Sequence, residues 1–357
     1  MPHEILRPGA LTAELAAQWD ALLDQDEDFG SPFFAHEFTR AVGRHRDDLY
    51  IAVLRDAGAV TGFLPFHRKA GGCAAPVGGQ ICDYQGVIGT VAQPGPRGEA
   101  LLRGCGLSAY DFNHALAAQD LLARNAFDVS HSLRADLRSG FDSWQAEVRA
   151  QTKQAAKMDR MRRKIVREQG ELRFIAHDRS AEAWLTFIGW KDAALRRQGA
   201  GGFPGPGWVG AVLHDIRNID TPRFAGLFST LYAGDRLVAA HLGMRSDRAW
   251  HWWFPSYDPA LQHYAPGLLL MLCCIEEAAK TGLAELDFGR GTQRYKREFG
   301  NRARVLCEGS LERQATLPGA ARALRKSAQL LANRLMPESK SALFRRAGTK
   351  LLRAGLI

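Results

Sequence analysis

In the first half of the chain the apolar positions form a strand, turn and strand: residues 49–54, the turn Asp56-Ala57-Gly58, then residues 60–66. The second half repeats the pattern, with 229–232 leading through Ala233-Gly234-Asp235 into 237–244. Two such hairpins, each with its own surrounding helices, predict a duplicated α/β unit. Between them, residues 141–169 read as one long helix, with Asp142 as N-cap, Gln145 at the capping-box position and Gly170 as the stop. Trp144, Val148, Met158, Met161 and Ile165 make its apolar stripe, and Lys153, Lys157, Arg160, Arg162, Arg163, Lys164 and Arg167 fill the rest. That cationic face is either a solvated helix surface or a platform for phosphate groups on a substrate or lipid.

Further along, the pattern predicts a strand at 171–176, an amphipathic helix at 181–198 and a Gly/Pro loop at 199–207. The loop lacks the Gly-Lys-Ser/Thr ending of a P-loop, so it is a connector or a lid. An aromatic strand follows at Trp250-His251-Trp252-Trp253-Phe254, then a helix at 266–281 and a strand at 284–288. At the end of the chain, Leu317, Ala321, Leu324, Ala328, Leu331 and Leu335 line a helical stripe over 318–336, and Leu343, Phe344, Ala347, Leu351 and Leu352 line a second over 341–356.

Composition divides this pattern into parts. A length of 357 residues exceeds one typical domain. The expected division is 1–140, 141–310 and a basic helical tail at 311–357. Of the net charge of +9, the tail holds ten Lys or Arg against Glu312 and Glu338. A nucleic-acid-binding domain would spread its cations over a folded face, so this distribution excludes DNA as the expected partner. Basic amphipathic helices bind anionic membrane surfaces. Arg322, Arg325, Arg345 and Arg346 are therefore candidate membrane or nucleotide contacts; the other reading is a helix packed on the protein with its charges in water. The N-terminus lacks the basic-then-apolar layout of a signal peptide, and the most apolar stretch, 267–275, is far short of the roughly 20 residues that cross a bilayer. A cytoplasmic protein is expected, peripheral on the inner membrane if the tail attaches. The six cysteines show neither a C-x-x-C pair nor metal-ligand spacing with the histidines, so reduced thiols and no metal are expected.

The chemistry-bearing residues cluster late. Pro266 and Gly267 open an apolar helix whose N-terminal N–H groups suit an anion such as a pyrophosphate, with Leu268 beside them. After the strand comes Asp287-Phe288-Gly289-Arg290-Gly291, then Tyr295-Lys296. A carboxylate on an apolar strand needs partners or solvent, so Asp287 either pairs with Arg290 or serves a reaction. Lys296 is either a surface cation beside Arg297 or the positive charge near a developing oxyanion. His241 and His251 are alternative bases. Trp250, Trp252 and Trp253 alternate across the sheet and either stack on sugar or fill the core.

The run from Pro266-Gly267-Leu268-Leu269 through Gly282 and Asp287-Phe288-Gly289-Arg290-Gly291 to Tyr295-Lys296 and Phe299 resembles the C-terminal motif of the CelD/BcsL-like GNAT acetyltransferases, relatives of the Fem-type aminoacyltransferases. Ser31-Pro32-Phe33, residues 62–65, Asp83-Tyr84 and the helix ending in Arg162-Arg163 extend the resemblance over most of 30–310. It implies an α/β fold of tandem GNAT-like units, each a mixed central sheet flanked by helices. It also implies transfer of an acyl group from acyl-CoA to an amino sugar, with association to cellulose, holdfast or other exopolysaccharide synthesis. By that resemblance Lys296, Asp287 and Tyr295 are catalytic candidates. Gly267, Leu268, Arg290 and Gly291 would meet the cofactor, and Asp83, Tyr84, Arg162, Arg163 and Trp252 the lipid-linked or polysaccharide substrate. The usual Arg/Gln-x-x-Gly-x-Gly/Ala phosphate loop is replaced by Gln262-His263-Tyr264-Ala265-Pro266-Gly267. Alternatives are an aminoacyl-tRNA donor, as in the Fem relatives, or a non-catalytic membrane-docked protein that reads cyclic di-GMP.

Overall fold

The computed structural model describes residues 3–92, 95–199, 202–204, 207–291 and 293–335. In chain order they form β1 (Glu4–Leu6), α1 (Ala13–Asp24), α2 (His36–Gly43), β2 (Leu49–Asp56), β3 (Ala59–Arg68), β4 (Cys73–Pro76), β5 (Ile88–Gly89), α3 (Glu99–Gly104), β6 (Ala109–Leu116), α4 (Asp120–Ala123) and β7 (Ala126–Asp136). There follow α5 (Phe141–Gln151), α6 (Gln154–Gln169), β8 (Leu172–Ile175), α7 (Ala181–Arg197), α8 (Gly207–Arg217), β9 (Phe224–Ala233), β10 (Arg236–Ser246), β11 (Ala249–Tyr257), α9 (Pro266–Lys280), β12 (Glu285–Arg290), α10 (Arg294–Phe299), β13 (Arg302–Glu312) and α11 (Leu317–Leu335).

These elements gather into two compact units, one of residues 1–29, 42–130 and 305–357, the other of 30–41 and 131–304. Both repeat one plan. In the first, the antiparallel hairpin β2–β3 continues antiparallel into β4, and a helical crossover returns the chain to β6, parallel to β4. In the second, β9–β10–β11 are antiparallel and α9 carries the chain to β12, parallel to β11. The closing strands are exchanged: β6 pairs with β13 from the end of the chain, whereas β12 pairs with β7 from the middle. This is the expected duplicated α/β architecture, with a mixed sheet in each unit.

Each unit has its own apolar core, built around Leu64, Phe66, Leu101 and Phe112 in the first and around Trp144, Ile165, Trp250, Leu270 and Phe299 in the second. Helices α7 and α9 begin where the sequence supplies a cap or a proline. Ser180 Oγ accepts the Ala183 N–H at the start of α7, and Pro266 opens α9. The single helix expected over 141–169 is two. Thr152 is extended between α5 and α6 (φ −145°, ψ 146°), and its hydroxyl accepts the Gln154 N–H, so side chain and backbone together break the helix. Gly140, not Asp142, occupies the N-cap of α5. No helix among the described residues is long and apolar enough to cross a membrane.

Candidate active site

The second unit builds its site where two parallel strands stop pairing. β11 and β12 are in register at Ala249–Glu285, Trp250–Leu286 and His251–Asp287. There the ladder ends, although β11 runs on to Tyr257 and β12 to Arg290. Beyond His251 and Asp287 the facing strand edges carry backbone N–H and C=O groups not bonded to one another, a wedge that a ligand amide could enter.

Helix α9 leads away from β11. Ala265 is left-handed (φ 54°), which turns the chain into Pro266 and Gly267 at the helix tip. The Leu268 and Leu269 N–H groups both bond to the Ala265 carbonyl, at 3.0 and 3.2 Å. Two of the first amides are thus already engaged, and the tip offers an anion less than an open glycine loop would.

The strand end itself is held by a buried network. Asp287 is 1% exposed, and its Oδ1 accepts the Ser132 hydroxyl at 2.9 Å and the Gly289 N–H at 2.6 Å. Gly289 takes a positive φ of 72°, which lets its N–H turn back onto the carboxylate where β12 bulges against β7 between Asp287 and Arg290. His251 Nδ1 lies 3.6 Å from Asp287 Oδ1, and Arg304 lies 3.7 Å from Oδ2. Arg304 and Arg134 both donate to Glu285, at 2.9 and 2.8 Å. Asp287 therefore has serine, backbone, histidine and arginine neighbours, which the expected pairing with Arg290 did not include. Lys296 is 6% exposed rather than a surface lysine, and its Nζ donates to the carbonyls of Gly289 and Arg290 at 3.0 and 2.9 Å. It fastens the chain immediately after the bulge. Tyr295 is half-buried and meets Phe288 edge to face. Arg290 and Gly291 complete the turn, both half-buried.

The aromatic strand is core on both faces: Trp250, Trp252 and Trp253 are all buried. Trp252 stacks on His241 with ring centroids 3.9 Å apart. His241 Nε2 accepts the Trp253 N–H, so its other nitrogen carries the proton; that Nδ1 is buried without a hydrogen-bond partner among the described residues. Burial, with His251 and Lys191 nearby, holds its pKa well below the ordinary value, and the ring is neutral. With its accepting nitrogen occupied by the Trp253 N–H, His241 has no lone pair open to take a proton in this arrangement. His251 remains beside Asp287.

The other expected contacts are dispersed. Arg162 and Arg163 are exposed on α6 in this same unit, whose end touches the region before α9 through Tyr264: its hydroxyl donates to Glu168 at 2.7 Å, and Lys164 lies 5.2 Å from its ring. Asp83 and Tyr84 belong to the first unit, where Asp83 is half-buried and Tyr84 is in the core. Arg322 and Arg325 belong there too; Arg322 is buried against Asp111, and Arg325 lies over Phe127. Arg345 and Arg346, with the stripe at 341–356, lie outside the described residues.

Sequence reasoning missed Lys191. On α7 it reaches the Pro255 carbonyl of β11 at 3.1 Å and sits over the Phe254 ring, with no carboxylate within ion-pair distance among the described residues. Burial lowers its pKa from the ordinary 10.5 to about 8. Only the amphipathic helix that carries it was readable. Between these two values the unfolded chain binds the proton more tightly than the folded one, so stability rises as pH climbs from 8 to 10.5. Lys191→Met is expected to flatten that rise, measured as thermal unfolding midpoints across this range.

Residues 152–297 match the family model described as an acetyltransferase (GNAT) domain. The match spans the wedge, α9 and Lys296, and it defines the class: the chain carries a GNAT domain and is an acyltransferase. Among solved structures, FemX is similar with a TM-score of 0.61 and 9% identity, over 90% of this chain and 100% of that one. A conserved protein of unknown function from Bacteroides thetaiotaomicron reaches 0.53 at 11% identity, over 82% of this chain and 97% of that one. The C-terminal domain of a protein assigned as a lysylphosphatidylglycerol synthetase from Agrobacterium fabrum reaches 0.51 at 11% identity, over 89% and 97%. At such identities the likeness is one of fold. No curated protein sequence matches the chain.

Proposed function

We propose that the second unit transfers an acyl group from acyl-CoA to the amino group of a sugar in a lipid-linked or nascent exopolysaccharide, as the resemblance to the CelD/BcsL-like enzymes implies. The observation that carries the reading is the wedge opened beyond His251 and Asp287, in the unit that matches the GNAT model. The gap between strands no longer paired with each other would hold an acyl-pantetheine arm, with the diphosphate near Gly267 and Leu268 at the tip of α9. In the reaction the acceptor nitrogen attacks the thioester carbonyl carbon, the C–S bond breaks, CoA leaves as the thiolate and the nitrogen loses a proton. Lys296, fixed between two carbonyls at the wedge, supplies positive charge where the oxyanion develops. The His251–Asp287 pair is the nearest built arrangement for accepting the proton. Arg290 and Gly291 would line the donor and Tyr295 would close the turn. Arg162 and Arg163, with Lys157 and Arg160 exposed on the same helix and Lys153 at its N-cap, would meet phosphates of the acceptor's carrier.

Calorimetric titration with acetyl-CoA, longer acyl-CoAs and cyclic di-GMP tests the donor. An acyl-CoA is expected to bind at one site per chain with a Kd between about 1 μM and 1 mM, the range of ordinary enzyme substrates. Heat from cyclic di-GMP alone, with none from any acyl-CoA, would sink the enzymatic reading in favour of a nucleotide sensor. If the protein binds no acyl-CoA but consumes aminoacyl-tRNA, the donor is that of the Fem relatives.

A further inference from the structure

Helix α11, in the first unit and independent of the acyl-transfer reading, presents its leucines to solvent. Leu317, Leu324 and Leu331 stand seven residues apart and are 89, 74 and 57% exposed; Leu335 continues the line at 73%. Seven residues are close to two helical turns, so these side chains form one seam, with the small residues Ala320 and Ser327 between them. Single surface leucines are ordinary. A continuous seam on the order of 500 Å² is at the upper end of what a monomer exposes and marks an interaction face.

Three of the four described cations of the same helix point the other way. Arg322 grips the Asp111 carboxylate through Nε and Nη2, both at 2.9 Å. Lys326 pairs with Glu312, and Arg325 lies over the Phe127 ring. Among the described residues of α11, Arg334 is the one cation left exposed. The basic amphipathic helix read from the sequence is thus largely inverted: three cations are drawn inward and the leucines face outward, with Arg334, seven residues after Ser327, at the C-terminal end of the seam. An anionic bilayer would gain little attraction from this face, because about 1 kcal/mol per nearby cation requires the cation to be on it. A second copy of the same face laid antiparallel, in contrast, sets Arg334 against the Leu317 end and not against another Arg334, and meets little like charge.

We propose that α11 is a homodimer interface, two copies pairing through the Leu317–Leu324–Leu331–Leu335 seam about a two-fold axis. An isologous contact is self-complementary by construction, and large leucines alternating with Ala320 and Ser327 let one helix set its side chains between those of the other. The leucines with their flanking residues approach the roughly 800 Å² per partner of a stable interface.

Sedimentation velocity of the full chain from about 1 to about 100 μM tests this, since a dimer follows mass action. The wild type is expected to sediment as a dimer in the upper part of that range, and Leu324→Glu/Leu331→Glu as a monomer with an unchanged far-UV spectrum. In case that variant fails to fold, Ser327→Cys places a thiol in the middle of the seam without disturbing the leucines. It is expected to form covalent dimers on mild oxidation in most of the protein, whereas the wild type does not. A wild type that stays monomeric throughout overturns the proposal, as does failure of Ser327→Cys to cross-link. Flotation with phosphatidylglycerol vesicles that is abolished by the double variant, from a wild type monomeric in solution, would assign the seam to lipid and overturn it equally.

Discussion

Lys296→Met is expected to slow acyl transfer by about 10²–10³-fold, the usual effect of losing one group that stabilises a developing oxyanion. The side chain is buried and donates to two carbonyls just past the β12 bulge, so its removal acts twice. The charge leaves the wedge, and the Gly289 and Arg290 carbonyls lose a donor, at a cost of about 1–3 kcal/mol for each that stays dry. The two effects separate experimentally. Release of CoA under saturating donor reports the first, and thermal unfolding reports the second. Lys296→Arg, which keeps a charge but not its compact shape, is expected to recover stability more than rate. A Lys296→Met protein that is destabilised yet turns over at the wild-type rate would make the lysine a fastening of the strand and nothing more.

Arg304→Met is expected to destabilise the second unit by about 3–5 kcal/mol, because it removes one partner from a buried ionic cluster and leaves the carboxylates behind. Glu285 is 8% exposed and is held by Arg304 and Arg134, while Arg304 also lies 3.7 Å from Asp287. The midpoint of thermal unfolding should fall on the order of 10 °C. Adding Glu285→Leu should return part of that loss, since the uncompensated charge goes with it. If Arg304→Met melts within a degree or two of wild type, water reaches the cluster and Asp287 is not held by it.

The residues of the wedge were legible to different degrees. Asp287, Gly289 and Lys296 lie within ten positions, so the motif suggested a functional turn. It did not say that the lysine folds back onto the turn or that Asp287 is clasped by Ser132, 155 residues earlier. Sequence proximity suggests Asp287 with Arg290; it does not point to Ser132 on β7, His251 on β11 or Arg304 on β13, which folding brings to the same carboxylate. The break at Thr152 was missed for a different reason. The apolar stripe continues across it, and periodicity registers the stripe but not one residue whose hydroxyl competes for the backbone. Lys191 escaped because nothing in its neighbourhood marks it until Pro255 and Phe254 are folded against it.

By itself the sequence determined what local chemistry controls: the two hairpins with their glycine-containing turns, the proline at the start of α9, the glycine that bends the chain after Asp287, and the leucine repeat of α11. Each follows from side-chain periodicity or from the φ a residue tolerates, which neighbours within a few positions settle. Only the tertiary structure decided which closing strand joins which sheet, which groups surround Asp287 and Lys296, and which side of α11 faces outward. Those outcomes depend on pairing groups far apart in the chain. The free energy of such pairing lies in burial and desolvation, which no stretch of sequence contains alone. The helical stripe of α11 shows the difference: seven-residue spacing puts the leucines together, but Asp111 and Glu312, on other strands, draw the cations inward and leave the leucines outside.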